Sequence, residues 1–334
     1  MFQPRFARAE AQPPFHIIEQ WHLSGSAGWG NLYFDGSTKL LYIPRTDRVV
    51  VFDTVTGKEE GEVTGFVDAR MLAFDNEGRF GYVTDIADGS VGFVRVFNCS
   101  TLKLVATIPV GRIPSAVVFD PRTRSVFAFS SRDRNASVID TRTNRVTATI
   151  PLPGKPHIAL ADGNGTIYAG LRGIGELVRI DAAARAVSAA WPLASCVEFS
   201  GLAFDGAHRQ LVGSCVNQDV ISVNAESGQV AAVGKSADGP GDLAFDPQSR
   251  LLISAASSGK LSVFHQDSSG QFVVQDQVPT LPRAGTLAFD PTSERAFVIT
   301  AKFQQRPVTA QGMEEMESRL TPVPNSVVVL VIGK

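Results

Sequence analysis

The sequence has little of what marks a membrane-spanning or nucleic-acid-binding protein. No run of apolar residues approaches the roughly 18 that a membrane-spanning helix requires, and the longest run, residues 327–332, has the length of a β-strand. The 31 Lys and Arg residues are balanced by 33 Asp and Glu, which leaves a formal net charge of −2. Such a balance gives no strong field toward nucleic acid or an anionic lipid surface. We therefore expect no membrane span and no nucleic-acid partner.

Familiar catalytic motifs are also missing from the chain. It contains no C-x-x-C-H, H-E-x-x-H, G-x-S-x-G or Gly-rich phosphate-binding motif. Its five histidines are scattered and do not form the cluster that a copper site requires. No catalytic residue is predicted, so the class of function has to be inferred from the fold and its surface.

One pattern is strong: an apolar stretch ending in Asp, usually as Phe-Asp, is followed by a turn and a β-rich run, and this unit occurs seven times. Within one unit, residues 116–119, 126–130, 136–139 and 146–151 form short β-rich runs separated by turns. Four short strands in a period of about 42 residues are typical of a propeller blade. The sequence predicts an all-β, seven-bladed β-propeller with four antiparallel strands per blade. The repeated aspartates, 40 to 45 residues apart, are Asp35, Asp75, Asp120, Asp162, Asp205, Asp246 and Asp290.

The two ends of the chain predict how the ring closes. The seventh unit ends before a fourth strand can form, and residues 15–23 precede the first unit with the character of the missing outer strand. We expect this segment to complete the last blade, since closure leaves no open gap in the ring. Residues 15–334 then form a single propeller, preceded by residues 1–14 as a flexible arm or the remnant of a signal peptide. A long loop, 302–326, interrupts the last blade, and its middle, 309–320, is compatible with a helix that has Met313, Met316 and Leu320 on one stripe. This loop is either a lid or docking element on the channel mouth or a mobile loop.

Several runs resemble the YVTN-repeat seven-bladed propellers, in particular the bacterial YncE-like and surface-layer-associated branch. They are residues 114–121 (PSAVVFDP), 136–144 (ASVIDTRTN), 154–156 (GKP) and 201–209 (GLAFDGAHR). The resemblance implies an extracytoplasmic propeller without shared catalytic residues, in a family that includes binding, adhesion and redox-accessory proteins. His157 and Ser115 stand where many relatives carry acidic residues, so this chain differs from the family at the channel mouth.

The three cysteines bear on the cellular compartment. Cys196 and Cys215 are expected on one rim of the fifth blade, where they form either a disulfide or two buried thiols, while Cys99 lies on the opposite rim. A disulfide there would close a loop of about 20 residues and contribute roughly 3 kcal/mol, and such bonds persist in oxidising compartments. Ala9-Glu10-Ala11 also fits the small-x-small pattern at which signal peptides are cut. These features favour a periplasmic or secreted protein, in which residues 1–14 are either the end of a signal peptide that begins before this sequence or an ordinary flexible arm.

In a propeller, the loops that lead into the innermost strands share one face with the loops between the second and third strands, and ligands usually bind there. The predicted ligand-binding residues on the first set of loops are Trp29, Arg70, Arg112, Lys155, His157, Glu198, Asp242 and Arg283. The second set adds Arg45, Arg48, Asp85, Asp88, Arg132, Arg134, Arg172, Asn217 and Lys260. A surplus of Arg and Lys at this mouth would suit a carboxylate or phosphate. The alternative is that these charges pair with one another across neighbouring blades.

The leading hypothesis is a non-catalytic, extracytoplasmic and monomeric propeller. It binds either a small ligand, for which an anion is one candidate, or a protein partner at this mouth. The alternative is a lactonase-like or metal-assisted hydrolase that uses mouth carboxylates, His157 and Arg residues. No cofactor is predicted for the first hypothesis, whereas the second would use a divalent metal. The repeated aspartates are assigned to turns on the far rim, where Asp accepts bonds from backbone N–H groups. The candidate metal ligands are Asp68, His157, Glu198 and Asp242.

Overall fold

In the computed structural model, each repeat folds into a four-stranded antiparallel sheet. The structure describes residues 14–25, 28–75, 77–193, 196–235, 241–268, 270–305 and 320–334. These residues contain strands and turns but no helix, and hence no helix long and apolar enough to cross a membrane. The first strand of the chain, β1 (His16–Leu23), belongs to the last blade and is described with it below.

The first four blades follow one another along the chain. Blade 1 consists of β2 (Tyr33–Asp35), β3 (Leu40–Arg45), β4 (Arg48–Asp53) and β5 (Lys58–Thr64). Blade 2 consists of β6 (Ala69–Phe74), β7 (Phe80–Ala87), β8 (Val91–Asn98) and β9 (Lys103–Val110). Blade 3 consists of β10 (Pro114–Asp120), β11 (Ser125–Ser130), β12 (Asn135–Asp140) and β13 (Arg145–Pro151). Blade 4 consists of β14 (Lys155–Ala161), β15 (Thr166–Arg172), β16 (Glu176–Asp181) and β17 (Ala186–Pro192).

The last three blades complete the ring. Blade 5 consists of β18 (Phe199–Asp205), β19 (Gln210–Cys215), β20 (Asp219–Asn224) and β21 (Val230–Lys235). Blade 6 consists of β22 (Leu243–Asp246), β23 (Leu251–Ala256), β24 (Lys260–Gln266) and β25 (Phe272–Pro279). Blade 7 consists of β26 (Thr286–Asp290), β27 (Arg295–Thr300), β30 (Val327–Gly333) and β1. A two-stranded hairpin, β28 (Phe303–Gln305) and β29 (Leu320–Pro322), lies between β27 and β30.

The ring closes through the N-terminal strand, as predicted. β1 runs antiparallel to β30, with Leu23 opposite Val327 and His16 opposite Gly333. The innermost strand of blade 7, β26, lies against the innermost strand of blade 1, β2. The strand begins at His16 rather than Phe15, whose side chain is buried at the seam between blades 6 and 7. The prediction of seven blades of four antiparallel strands is confirmed.

The core is divided among the seams between blades. Seven clusters of buried apolar residues occur in the described part of the chain, one at each seam. The closing seam between blades 7 and 1 has its own cluster, which contains Trp21 and Leu23 of β1 with Phe297 of β27 and Ile43 of β3. Because each blade buries its faces only against its two neighbours, burial at the seams holds the ring together.

The repeated aspartates terminate the innermost strands, as the turn assignment predicts. Asp120 accepts hydrogen bonds from the N–H and the hydroxyl of Thr123 at 2.9 and 2.6 Å. It also accepts the N–H of Gly165 in the next blade at 3.0 Å. Arg124, just before β11, has a φ of 51°, the left-handed conformation that returns the chain into a hairpin. These aspartates are thus engaged by backbone on the rim away from the mouth.

Some of the expected features lie outside the described residues. These are most of the arm, 1–13, and the middle of the long loop, 306–319, including Met313 and Met316. Leu320, the last residue of the helix-compatible stretch, begins β29 and is therefore in a strand, so at that residue the helix prediction is wrong. The flanks of the loop pair as a hairpin, which fixes the register of Phe303 opposite Pro322.

Candidate functional site

The loops that lead into the innermost strands and the loops between second and third strands lie on one face, which we call the mouth face. Backbone hydrogen bonds join the two sets: the N–H of Ser131 donates to the carbonyl of Ile113 at 3.0 Å. Val216 donates in the same way to Glu198 at 3.0 Å. The mouth face is therefore a continuous layer of paired loops, and the opposite rim carries the aspartate turns.

The channel contains a cavity of ≈ 500 Å³, which we call the channel cavity. Each innermost strand pairs on one side only, so its other edge presents backbone N–H and C=O groups toward the axis. The cavity thus offers hydrogen-bonding groups as well as apolar side chains. It is lined by the innermost strands of blades 1 to 5, at residues 31–33, 71–74, 115–119, 157–161, Ser200 and Leu202.

A second cavity of ≈ 320 Å³, the mouth cavity, opens onto the mouth face. It shares Met71, Ser115 and His157 with the channel cavity, so these three residues lie at the boundary between the two cavities, which we call the passage. On its rim, Nε and Nη2 of Arg70 both donate to Oδ2 of Asp68, at 2.9 and 2.7 Å. Arg70 is thus engaged by its neighbour in an exposed ion pair of the kind that contributes little to stability.

His157 belongs to a three-residue group at this passage. Arg172 donates from Nε to Oε1 of Glu198 at 2.6 Å, and its Nη2 lies 3.3 Å from Nε2 of His157. The same Glu198 oxygen is 3.6 Å from Nε2 of His157. Burial lowers the pKa of His157, and so does the guanidinium of Arg172, while the Glu198 carboxylate opposes them. The imidazole is therefore mainly neutral at pH 7, and it can accept or donate a hydrogen bond at the passage.

Arg112 and Lys155 line neither the channel cavity nor the mouth cavity: Arg112 lies on the loop that leads into blade 3, and Lys155 begins the innermost strand of blade 4. Arg112 donates from Nε to Oδ1 of Asp133 at 2.7 Å and from its N–H to Oδ2 at 2.8 Å. These bonds hold the pKa of Asp133 below its usual range. Lys155 is exposed and lines a cavity of ≈ 370 Å³ with Ile113, Ser131, Arg132 and Arg134.

Trp29 and Arg283 meet at a different place, the seam between blades 7 and 1. They line a cavity of ≈ 420 Å³ with Phe303. The Arg283 guanidinium lies 5.3 Å from the centre of the Phe303 ring, and the Trp29 and Phe303 ring centres are 6.2 Å apart in an edge-on arrangement. The sequence analysis did not identify Phe303, because this residue belongs to no repeat; its position just after the last strand before the long loop was the available signal.

Asp242 ties blade 6 to blade 7. Its backbone N–H donates to the carbonyl of Gly285 at 2.7 Å, and its carboxylate accepts the N–H of Leu243 at 2.9 Å and that of Leu287. The residue keeps part of its surface accessible, but its carboxyl is surrounded by protein atoms, and this burial raises its pKa to about 6. Asp242 lines neither the mouth cavity nor the channel cavity.

The four candidate metal ligands do not form one group. His157 and Glu198 are in contact, and Asp68 shares only the lining of the mouth cavity with His157, whereas Asp242 lies at another seam. Within the described ranges, no three His, Cys, Asp or Glu side chains are arranged to hold a metal ion. The eight predicted ligand-binding residues are likewise distributed over several separate places on the mouth face.

Two residues predicted in the mouth loops have structural positions instead. Arg45 is 1% exposed and donates from Nε to the carbonyl of Gly28 at 2.8 Å. Asp85 is fully buried, where it accepts the N–H of Asp68 at 2.7 Å and forms an ion pair with Arg95. Both lie in strands that reach further than the repeat pattern indicates, so their side chains point into protein. Conversely, Arg172 was only one of many loop residues in the sequence, yet it contacts both His157 and Glu198.

The cysteines differ in state. Cys196 and Cys215 form a disulfide with Cα atoms 5.5 Å apart, and both residues are buried. The bond joins the loop before β18 to the end of β19, beside the mouth face. Cys99 is half-buried near Tyr42, and burial raises its pKa to about 12, so its thiol is protonated and poorly nucleophilic at pH 7.

A closed ring of seven four-stranded blades around a channel defines the chain as a seven-bladed β-propeller. Solved propellers resemble it over nearly their whole length. Hydrazine synthase from Kuenenia stuttgartiensis shares 17% identity with a TM-score of 0.71, covering 89% of this chain and 95% of that chain. U3-55K shares 10% identity with a TM-score of 0.73, covering 95% and 98%. A chain of the mitotic checkpoint complex shares 13% identity with a TM-score of 0.73, covering 89% and 93%.

These similarities concern the fold. Neither a protein-family model nor a curated protein matches the sequence. The resemblance to YVTN-repeat propellers therefore remains a prediction.

Proposed function

We propose that the protein is a non-catalytic binding protein that takes a small ligand with an anionic group into the mouth cavity and the channel cavity behind it. The observation that carries this proposal is that the two cavities are adjacent and share Met71, Ser115 and His157 in their walls. Their volumes, ≈ 320 and ≈ 500 Å³, fall in the range of pockets for small molecules, which is about 300 to 1,000 Å³.

The group at the passage favours an anionic ligand. Arg172 is paired with Glu198 through Nε, but about half of its side chain is exposed, and guanidinium groups recognise carboxylate and phosphate groups. The neutral imidazole of His157 adds a hydrogen-bond donor or acceptor without adding charge. Apolar wall residues such as Met71 and Leu160 would contact the rest of the ligand.

The geometry gives less support to the hydrolase alternative. Oε1 of Glu198, the oxygen near His157, already accepts a hydrogen bond from Arg172. A carboxylate held in an ion pair is a weak base, because the neighbouring cation stabilises its charged form. Metal analysis of protein purified without chelator tests this choice: a stoichiometric, tightly bound divalent metal would favour the hydrolase over the binding protein.

We place the protein outside the cytoplasm, as a periplasmic or secreted monomer of the YVTN-repeat kind. The disulfide between Cys196 and Cys215 supports an oxidising compartment. Thiol titration of the denatured protein checks the compartment: protein from its native compartment should show one reactive thiol before reduction and three after it. Three thiols before reduction would count against this location.

Ligand binding is tested by a thermal-shift screen with a panel of carboxylates and phosphate esters. The variant Met71→Trp would fill the passage between the two cavities. Val146→Trp, on the outer strand of blade 3, adds the same side chain away from the channel. We expect at least one anionic compound to stabilise the wild type and Val146→Trp but not Met71→Trp.

A second variant, Arg172→Gln, covers the case in which Met71→Trp does not fold. It should weaken anionic hits and leave neutral ones unchanged. Hits that bind both channel variants as tightly as the wild type, or a panel without hits, would contradict the proposal.

A further inference from the structure

The cavity of ≈ 370 Å³ at the seam between blades 3 and 4 is unusual in its charge, and we call it the basic notch. Three of its five lining residues are cationic: Arg132 and Arg134 from the loop after β11, and Lys155 at the start of β14. In the described part of the chain, none of the three is in salt-bridge contact with a carboxylate. Other mouth cations, such as Arg70 and Arg172, do have such a partner.

The carboxylate within the notch loop is already used. Asp133 lies between Arg132 and Arg134 in sequence, but both of its oxygens accept hydrogen bonds from Arg112. Arg112 therefore neutralises Asp133, although Arg132 also feels its field. The three lining cations keep a net positive charge after this pairing.

The backbone of the notch is held in place. The N–H and the hydroxyl of Ser131 both donate to the carbonyl of Ile113, at 3.0 and 3.1 Å. The carbonyl of Arg134 accepts the N–H of Leu152 at 2.8 Å, and Arg134 has a φ of 52°. Because this backbone is already ordered, only the side chains of the three cations have to be ordered when an anion binds.

We propose that the basic notch binds the phosphate group of a ligand whose remainder lies in the mouth cavity. Two guanidinium forks and one ammonium suit a doubly charged, multi-oxygen anion better than a single carboxylate. Ile113 lines both the notch and the mouth cavity, so the two places are adjacent. The second half of this inference rests on the proposed function, whereas phosphate binding in the notch does not.

Phosphate binding is measured by calorimetric titration of the full chain with inorganic phosphate at low ionic strength. Arg132→Gln and Arg134→Gln are expected to weaken binding about tenfold each, since each removes a charge-assisted hydrogen-bond donor. Arg124→Gln is the matched control: Arg124 is an exposed residue of the same blade, with a φ of 51°, on the opposite rim. The proposal that the basic notch binds phosphate would be overturned if the wild type bound no phosphate, or if Arg124→Gln weakened binding as much as Arg134→Gln.

A second arm separates the notch from the channel. A phosphate monoester such as glycerol phosphate should bind the wild type more tightly than inorganic phosphate, and Met71→Trp should remove this advantage while keeping the binding of inorganic phosphate. If the ester has no advantage in the wild type, the notch binds free phosphate and the link to the mouth cavity is refuted. If the ester advantage persists in Met71→Trp, the body of the ligand does not use the channel, and the proposed function fails while the notch stands.

Discussion

The closing seam can be tested at a single side chain, Trp21. In β1 this residue is 6% exposed, and its indole stacks on Phe52 of blade 1 at 5.7 Å between ring centres. It also packs at 5.5 Å on Phe297 of blade 7. Gly57, with a φ of 68°, lies so close that a Cβ there would be 2.6 Å from the indole nitrogen. Trp21 therefore packs blade 7 against blade 1 from a strand that is joined to the rest of blade 7 only by its pairing with β30.

Trp21→Ala is expected to destabilise the protein by about 3 to 5 kcal/mol, which is the usual cost of removing a buried Trp or Phe side chain. Domains are typically stable by about 5 to 15 kcal/mol, so this is a large fraction of the total. The loss should act locally as well, because β1 is held by its pairing with β30 and by the packing of this seam. We expect β1 to detach before the rest of the ring unfolds.

Urea denaturation and hydrogen exchange read by mass spectrometry measure the two effects. Trp191→Ala is the control: Trp191 occupies the corresponding place between blades 4 and 5, against Gly228, but its strand, β17, follows the other strands of its own blade directly along the chain. Both variants should lose stability, but only Trp21→Ala should speed exchange in residues 16–23 and 327–333. A Trp21→Ala protein within about 1 kcal/mol of the wild type, with unchanged exchange in those segments, would refute the reasoning.

Three further predictions concern the disulfide, Asp242 and His157. Replacing Cys196 and Cys215 together by Ala should cost about 3 kcal/mol in urea denaturation, because their separation of 19 residues sets the loop entropy; a loss below 1 kcal/mol would contradict this. The raised pKa of Asp242, about 6, means that its contribution to stability is complete below pH 4 and lost as pH rises through 6. The stability of Asp242→Asn relative to the wild type should therefore rise by roughly 1 to 2 kcal/mol between pH 4 and pH 7; this is less than the full pKa shift would give, because the residue keeps part of its surface accessible. A stability difference that does not change with pH would count against this prediction. Arg172→Gln should raise the pKa of His157 toward its ordinary value, as followed by NMR titration, because a neighbouring positive charge is removed; an unchanged or lower pKa would argue otherwise.

The fold could be predicted from the sequence because the same local signal, an Asp turn after the innermost strand, occurs in every unit. Each unit places Asp at the end of an innermost strand, where it accepts backbone N–H groups, so seven aspartates record seven blades. Closure could be predicted from a deficit, since the last unit lacks a strand and the N-terminal segment supplies one. Local hydrogen bonding and strand counting are properties of the chain itself, and they do not require knowledge of distances between blades.

For the candidate site, the sequence predicts which face of the ring carries it, but not which side chains meet there. Pattern places His157 and Glu198 on mouth loops of neighbouring blades, but their contact through Arg172 depends on side-chain directions at a seam. The sequence likewise does not distinguish Asp85, which is buried by the length of β7, from an exposed loop aspartate. Charge alone did not separate Arg70, which has a carboxylate partner, from Arg134, which lines the basic notch.

The two rims of the ring differ in how strictly the repeat is kept, and we expect function on the less regular one. On the far rim, every blade repeats an Asp turn whose carboxylate is engaged by the backbone, so that rim is determined by folding. On the mouth face the loops of successive blades differ, with an exposed ion pair in blade 2, the basic notch beside blade 3 and the His157 group in blade 4. Folding does not require these differences, because every blade forms the same sheet without them. The residues to test first are therefore those that differ from the repeat and also line a cavity, and His157 is one of them.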